Sequence, residues 1–159
     1  MEQGRIISIH LAKTGGAPME SVTNARVVAG RGLQGDRYHE GIGTYSNHLA
    51  SGREVTLIES EAIEALKSDY GVEIAPAQAR RNIVTRAVAL NHLVGREFIV
   101  GEVRLRGIRL CDPCAHLESL SARGALRGLI HRGGLRADVV SGGMIRVGDS
   151  IAAFPDRLD

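Results

Sequence analysis

Apolar residues recur at every second position over short runs through most of this chain, and at helical spacing in only two or three places. Arg5 to Leu11 is rich in β-branched residues and predicts a first strand. Two glycines and a proline make Lys13 to Pro18 a loop, and Val22 to Val28 follows as a second strand. Glu54 to Ile58 is a third. From Ser60 to Tyr70 the period changes: Ile63, Leu66 and Tyr70 share one helical face. Ser60 suits a cap, Glu61 and Glu64 suit the positive end of the dipole, and Gly71 suits the stop.

Pro76 to Arg80 predicts a short helical turn opening into the apolar strand that starts at Arg81-Asn82-Ile83-Val84-Thr85. Phe98-Ile99-Val100 and Val103-Arg104-Leu105 flank Gly101-Glu102, which predicts a type II′ hairpin. Leu126, Leu129 and Ile130 predict a helix within Ser121 to Ile130, and Leu135 to Val140 alternates as a strand. Short strands close the chain around Met144 to Val147 and Ile151 to Phe154. The sum is a mainly β fold with a few short helices on its ends and edges.

Length and composition narrow this picture. The 159 residues fit one domain, 1–159, large enough for a core without metal or disulfide staples. Twenty glycines scattered along the chain imply many turns, as in a barrel or sandwich. No apolar run approaches the ~20 residues of a membrane span, and the N-terminus lacks the apolar core of a signal peptide. A cytoplasmic protein with no membrane partner is expected. A net charge of +2 and 3% aromatic residues argue against nucleic acid. Of 20 basic residues only Lys13 and Lys67 are lysines. A GC-rich genome would produce that bias, and so would selection for bidentate binding of phosphate or carboxylate.

Candidate chemistry concentrates in Cys111-Asp112-Pro113-Cys114-Ala115-His116, which holds both thiols of the chain. Asp112 suits an N-cap and Pro113 the first helical position. Cys114 would then fall in the first helical turn, where unpaired amides favour the thiolate, helped by Arg109 or His116. Four readings fit the spacing: buried inert thiols, a redox pair, ligands of a zinc site that lacks a second Cys-x-x-Cys, or a thiolate that binds a cofactor metal or carries sulfur. Two further clusters stand out. Gly30 to His39 is dense in glycine and charge, where Asp36 and Arg37 either brace a turn or border a ligand; Arg81-Asn82 can hold an anion or sit as surface.

Several ordered motifs give the chain a resemblance to the MOSC domain family, from roughly Arg5 to Ile151. They are Gly32-Leu33-Gln34-Gly35-Asp36-Arg37, Glu54-Val55-Thr56-Leu57-Ile58, Arg81-Asn82-Ile83-Val84-Thr85, Leu93-Val94-Gly95-Arg96, Pro113-Cys114, and Gly142-Gly143-Met144-Ile145-Arg146-Val147-Gly148-Asp149. The resemblance implies a fold built around a β-barrel. It also implies a cysteine that either carries sulfur as a persulfide or ligates the molybdenum of the molybdenum cofactor (molybdopterin), and some members reduce N-hydroxylated compounds. The family's cysteine after proline falls on Cys114, with Cys111 as an auxiliary thiol. By the same resemblance Arg81 and Asn82 bind the pterin phosphate, and Asp36 and Arg37 lie at the pocket rim. Pyridoxal phosphate is associated with the family as a whole only. Larger relatives add an N-terminal barrel that helps enclose the cofactor. A lone domain is therefore expected to hold cofactor transiently, to rely on a partner such as a cysteine desulfurase or a reductase, or to have lost activity and serve as a non-catalytic binding domain.

Overall fold

The computed structural model describes residues 2–37, 39 and 52–154, and the side chains of Ala115 and His116 are not among the described groups. Most of the loop expected from Gly41 to Gly52 lies outside them. Eleven strands and three α-helices appear in the order β1 (Arg5–Leu11), β2 (Glu20–Val22), β3 (Asn24–Val28), β4 (Gly32–Leu33), β5 (Val55–Glu59), α1 (Ser60–Tyr70), β6 (Ile83–Arg86), β7 (Glu97–Val100), β8 (Val103–Leu110), α2 (Ala115–Leu120), α3 (Ala125–Gly128), β9 (Leu135–Ser141), β10 (Gly143–Arg146) and β11 (Ile151–Ala153). The fold is mainly β, as the alternation predicted.

Eight strands form one sheet in the order β11-β7-β8-β9-β5-β6-β1-β2, and β10-β3-β4 form a second. Each pair is antiparallel except β5 with β6, which α1 joins as a crossover. The expected barrel is not closed. Its would-be seam, β1 against β11, carries a single bridge between Arg5 and Ser150 and a few flanking backbone bonds, such as Ile151 N to Gly4 O at 2.8 Å. β2 covers only Ile9 to Leu11 on that side of β1, and the remaining edge meets the turn before β11, with the Ile6 amide donating to Asp149 O and the Gly148 amide to Ile6 O, each at 2.9 Å.

Strand β5 is buried on both faces, which divides the apolar residues into two packed groups. Val55 and Leu57 join Ile6, Ile83, Phe98 and Leu135 inside the curled sheet. Ile58 points the other way and packs with Val84, Leu66 of α1, Leu117 of α2 and Leu129. The helices are therefore fastened to the outer side of β5 and β6.

Local predictions succeed where one short pattern decides the outcome. β1 and α1 span the predicted residues, although Glu59, not Ser60, occupies the N-cap of α1. Gly101 has φ +59°, as the first position of a type II′ turn requires, and Val100 pairs with Val103. Two predictions need correction. The strand expected from Val22 to Val28 breaks at Thr23, because β2 pairs with β1 while β3 pairs with β10. The helix expected within Ser121 to Ile130 shrinks to Ala125–Gly128, since Gly124 at φ +95° precedes it. The Glu118 carboxylate accepts from the amides of Gly124 and Leu126 and fixes that late start.

Candidate functional site

Strand β8 delivers the chain to Cys111, and two distant segments hold it there. The Cys111 amide donates to Gly134 O at 2.7 Å. Its carbonyl accepts from Arg81 Nη2 at 3.3 Å, while Arg81 Nε donates to Gly133 O at 2.8 Å. A side chain at Gly133 would collide with the Cys111 carbonyl oxygen, so glycine is needed for this approach. Cys111 is 1% exposed. Cys114 is partly exposed and packs against the helix-side core.

The helix start differs from the sequence expectation. Asp112 does not cap it; Cys114 itself is the N-cap, in extended conformation at φ −143°, and α2 begins at Ala115. Because Cys111 is tied to Gly134 and Arg81 as an extension of the sheet, the turn into helix is postponed past Pro113. Glu118 N to Cys114 O, at 3.1 Å, is an early bond of that turn.

Arg81 and Asn82 sit beside this segment, but both are buried and bonded to the protein. Asn82 Oδ1 accepts from the Thr56 amide at 3.1 Å and the Thr56 hydroxyl at 3.2 Å, and its Nδ2 donates to His10 O at 3.2 Å. The Asn82 amide donates to Thr56 Oγ1 at 3.0 Å. One side chain thus splices β1, β5 and β6. His10 continues the arrangement: its ring nitrogens meet the hydroxyls of Ser8 at 2.7 Å and Ser21 at 3.0 Å, and burial pushes its pKa down.

Asp36 and Arg37 lie elsewhere, in the loop after β4. Asp36 Oδ1 accepts from the Ala12 amide at 3.0 Å and from Arg37 Nη1 at 3.1 Å, and the Arg37 amide donates to Ala12 O at 2.7 Å. Arg37 also lies 3.4 Å from Met19 Sδ. Met19 lines a cavity of about 270 Å³ with Gly16, Pro18, Ala77, Gln78, Arg80 and Leu120. Arg80, whose φ is +60° and whose Nη1 donates to Ala17 O at 2.5 Å, borders this space. Its neighbour Arg81 turns to the cysteine segment instead. The predicted residues therefore separate: Arg81 bonds the Cys111 segment, Asn82 bonds Thr56 and His10, and Asp36 pairs with Arg37 near the Arg80 cavity.

Two features escaped the sequence reading. Glu54, just before β5, accepts at Oε1 from the amides of Gly30 at 2.9 Å and Val139 at 3.2 Å. Its pKa is pushed up to about 7 by burial first, against those amide bonds, and also by a hydrogen bond and like charge from Asp138. Asp138 Oδ1 in turn accepts from the Gly52 amide at 2.7 Å. The second feature is a group of Glu59, His92, His131 and Arg132 around another cavity. Nothing in a strand's alternation marks a polar end position as one half of a pair.

A curled, mainly β sheet with helices on its outer side, whose long hairpin strand runs into a Pro-Cys segment, defines the class of domain. The sequence profile of the MOSC domain matches residues 44–152, more than half of the chain, and the protein belongs to the MOSC domain family. No curated protein sequence matches it significantly. Among solved structures, the YuaD protein from Bacillus subtilis is similar at 16% identity and a TM-score of 0.75, over 94% of each chain. YiiM from Geobacillus stearothermophilus is similar at 15% identity and a TM-score of 0.71, over 96% of this chain and 75% of that one. YiiM from Escherichia coli is similar at 15% identity and 0.65, over 98% and 72%. These likenesses carry the fold.

The family is associated with the molybdenum cofactor, and the residues here fit that group in part only. A partly exposed thiol suits a soft metal. The residues expected to bind its phosphate are already engaged in part with the protein itself. Arg81 Nε and Nη2 donate to backbone carbonyls, and the Asn82 side-chain amide already bonds β1 and β5. Among the described residues no group of three or more His, Cys, Asp or Glu side chains is placed to hold a metal ion. No helix among them is long and apolar enough to cross a membrane.

Proposed function

We propose that the protein works through the Cys114 thiolate as a sulfur-carrying MOSC protein. The observation that carries this reading is the contrast between the two thiols: Cys111 is closed into the structure, whereas Cys114 is partly exposed. In the transfer step the Cys114 thiolate attacks the outer sulfur of a persulfide on a donor such as a cysteine desulfurase. A new sulfur–sulfur bond forms on Cys114, the donor's own sulfur–sulfur bond breaks, and the donor leaves as a thiolate. Cys111 is an auxiliary thiol behind it. The bonds that Arg81 Nε and Nη2 and Asn82 Nδ2 make to backbone carbonyls favour a carrier that needs no resident pterin.

The test is mass spectrometry after incubation with a cysteine desulfurase and cysteine. The peptide containing Cys114 gains the mass of one sulfur atom, and Cys114→Ser does not. Sulfur addition to neither thiol, or only to Cys111, overturns the reading.

A second reading has Cys114 ligate the molybdenum of the cofactor, with a reductase supplying electrons. It draws on the family match and on the Arg80 cavity, which Leu120 of α2 also lines. Molybdenum and pterin content of protein made with molybdate, for wild type and Cys114→Ser, decides it. Absence from both removes it.

A further inference from the structure

A shallow cavity of about 220 Å³ opens where the end of β5 meets the 3-10 turn Leu90–Leu93 and the loop between α3 and β9. Glu59, Asn91, His92, His131 and Arg132 supply its polar lining. None of them takes part in the cysteine chemistry proposed above. The two walls are tied together, since Asn91 Nδ2 donates to His131 O at 3.0 Å. His131 holds φ at +65°, a region that side-chain-bearing residues adopt at a cost and that collects at functional sites. The loop thus presents His131 and Arg132 to the cavity in one fixed shape.

Opposite them, Glu59 Oε2 accepts from the Leu90 amide at 3.1 Å. Burial, the largest influence, raises the Glu59 pKa, as does nearby Glu61; the Leu90 amide, Arg132 and His92 oppose it. This carboxyl group shares the cavity with one guanidinium and two imidazoles. Such a lining is suited to another molecule's carboxylate: a guanidinium matches its two oxygens, and ring and amide N–H groups can donate to it.

We propose that this cavity is a binding site for small organic carboxylates, with Arg132 holding the carboxylate and His92 and His131 donating around it. The volume lies below the ~300–1,000 Å³ of drug-sized sites, which restricts the ligand to small acids. The same loop continues into Gly133 and Gly134, whose carbonyls accept from Arg81 and from the Cys111 amide. An occupant of the cavity sits within three residues of the contacts that hold the cysteine segment. The site stands on its own geometry and does not depend on which thiol acts.

The experiment is an NMR titration of the full chain with acetate and benzoate at constant ionic strength, following the His92 and His131 ring signals. His92→Gln and His131→Asn assign those signals, asparagine being tolerant of the left-handed backbone. Saturable shifts of both ring signals are expected. Arg132→Gln changes an exposed side chain and is expected to weaken binding about tenfold. Shifts no larger than those with sodium chloride overturn the site, as does binding that Arg132→Gln leaves unchanged. Tighter binding of inorganic phosphate than of either acid overturns the carboxylate assignment.

Discussion

Glu54→Gln should make the protein more stable at pH 8 and remove part of its pH dependence. In the folded chain the Glu54 carboxyl titrates near 7 instead of near 4.5, because it is partly buried and shares a hydrogen bond with Asp138. Between those two values the folded state keeps a proton that the unfolded chain has released. The contribution is therefore fully present below about pH 4.5, declines as pH rises, and is gone above about pH 7. At ~1.4 kcal/mol per tenfold change in proton affinity, the full displacement corresponds to about 3.4 kcal/mol. Glu54 is partly exposed, and water screens the pair, so about 1–2 kcal/mol is the expected size.

Glutamine mimics the protonated acid. Its oxygen can accept from Gly30 and Val139 as Oε1 does now, and its amide can donate toward Asp138. Urea unfolding of both proteins at pH 5, 6, 7 and 8 isolates the effect of the Glu54–Asp138 pair, since titrating groups away from it cancel in the difference. The variant should gain on the wild type by about 1–2 kcal/mol across that range. Parallel curves for the two proteins would refute the reasoning, as would a Glu54 carboxyl that titrates near its ordinary value by NMR. Asp138→Asn gives a second check, because it keeps an acceptor for Gly52 while removing the like charge, and should lower the Glu54 pKa.

Asn82→Leu should destabilise the fold by about 2–4 kcal/mol, because it leaves the Thr56 amide and the His10 carbonyl unpaired in a buried place. Chemical denaturation measures this, and a loss no larger than that of a surface substitution would show that Asn82 is not the splice described above. Gly133→Ala should lower stability by about 1–3 kcal/mol through overpacking and should speed alkylation of Cys111. Unchanged Cys111 alkylation in a destabilised variant would separate the packing effect from the cysteine segment.

The parts of this fold that the sequence discloses are those decided by neighbours along the chain. Ser60 to Tyr70 reads as a helix because its apolar spacing and Gly71 lie within one window, and Gly101-Glu102 names its own turn. What decides β2 against β3 is the choice of partner, β1 for one and β10 for the other, and no local pattern in Val22 to Val28 records it. Barrel closure is illegible for the same reason, since it depends on how the first and last strands of the large sheet meet. The candidate residues show a different limit. Arg81 and Asn82 stood out as a polar pair before an apolar strand, and they are special. Their donors, however, face His10, 72 positions from Asn82, and Gly133, 52 positions from Arg81. Residue type fixes what such a side chain can bond, and tertiary structure fixes what it does bond.

That distinction alters how the cysteine segment is understood. A bare pair of thiols at the end of a strand suggests a local motif, with reactivity set by a helix start. In the folded chain Asp112 leaves the cap, and the position of Cys111 is set by one guanidinium and one loop from far away. Arg81 holds the carbonyls of Cys111 and Gly133 together, and Gly134 holds the Cys111 amide, so the segment and the 131–134 loop form one bonded unit. Loss of the Arg81 side chain would leave two buried carbonyls without that donor, and the segment would lose its fixed distance from the loop. Arg81 thus has a defined task without any ligand: it sets where β8 ends and, with it, where Cys114 begins the next helix.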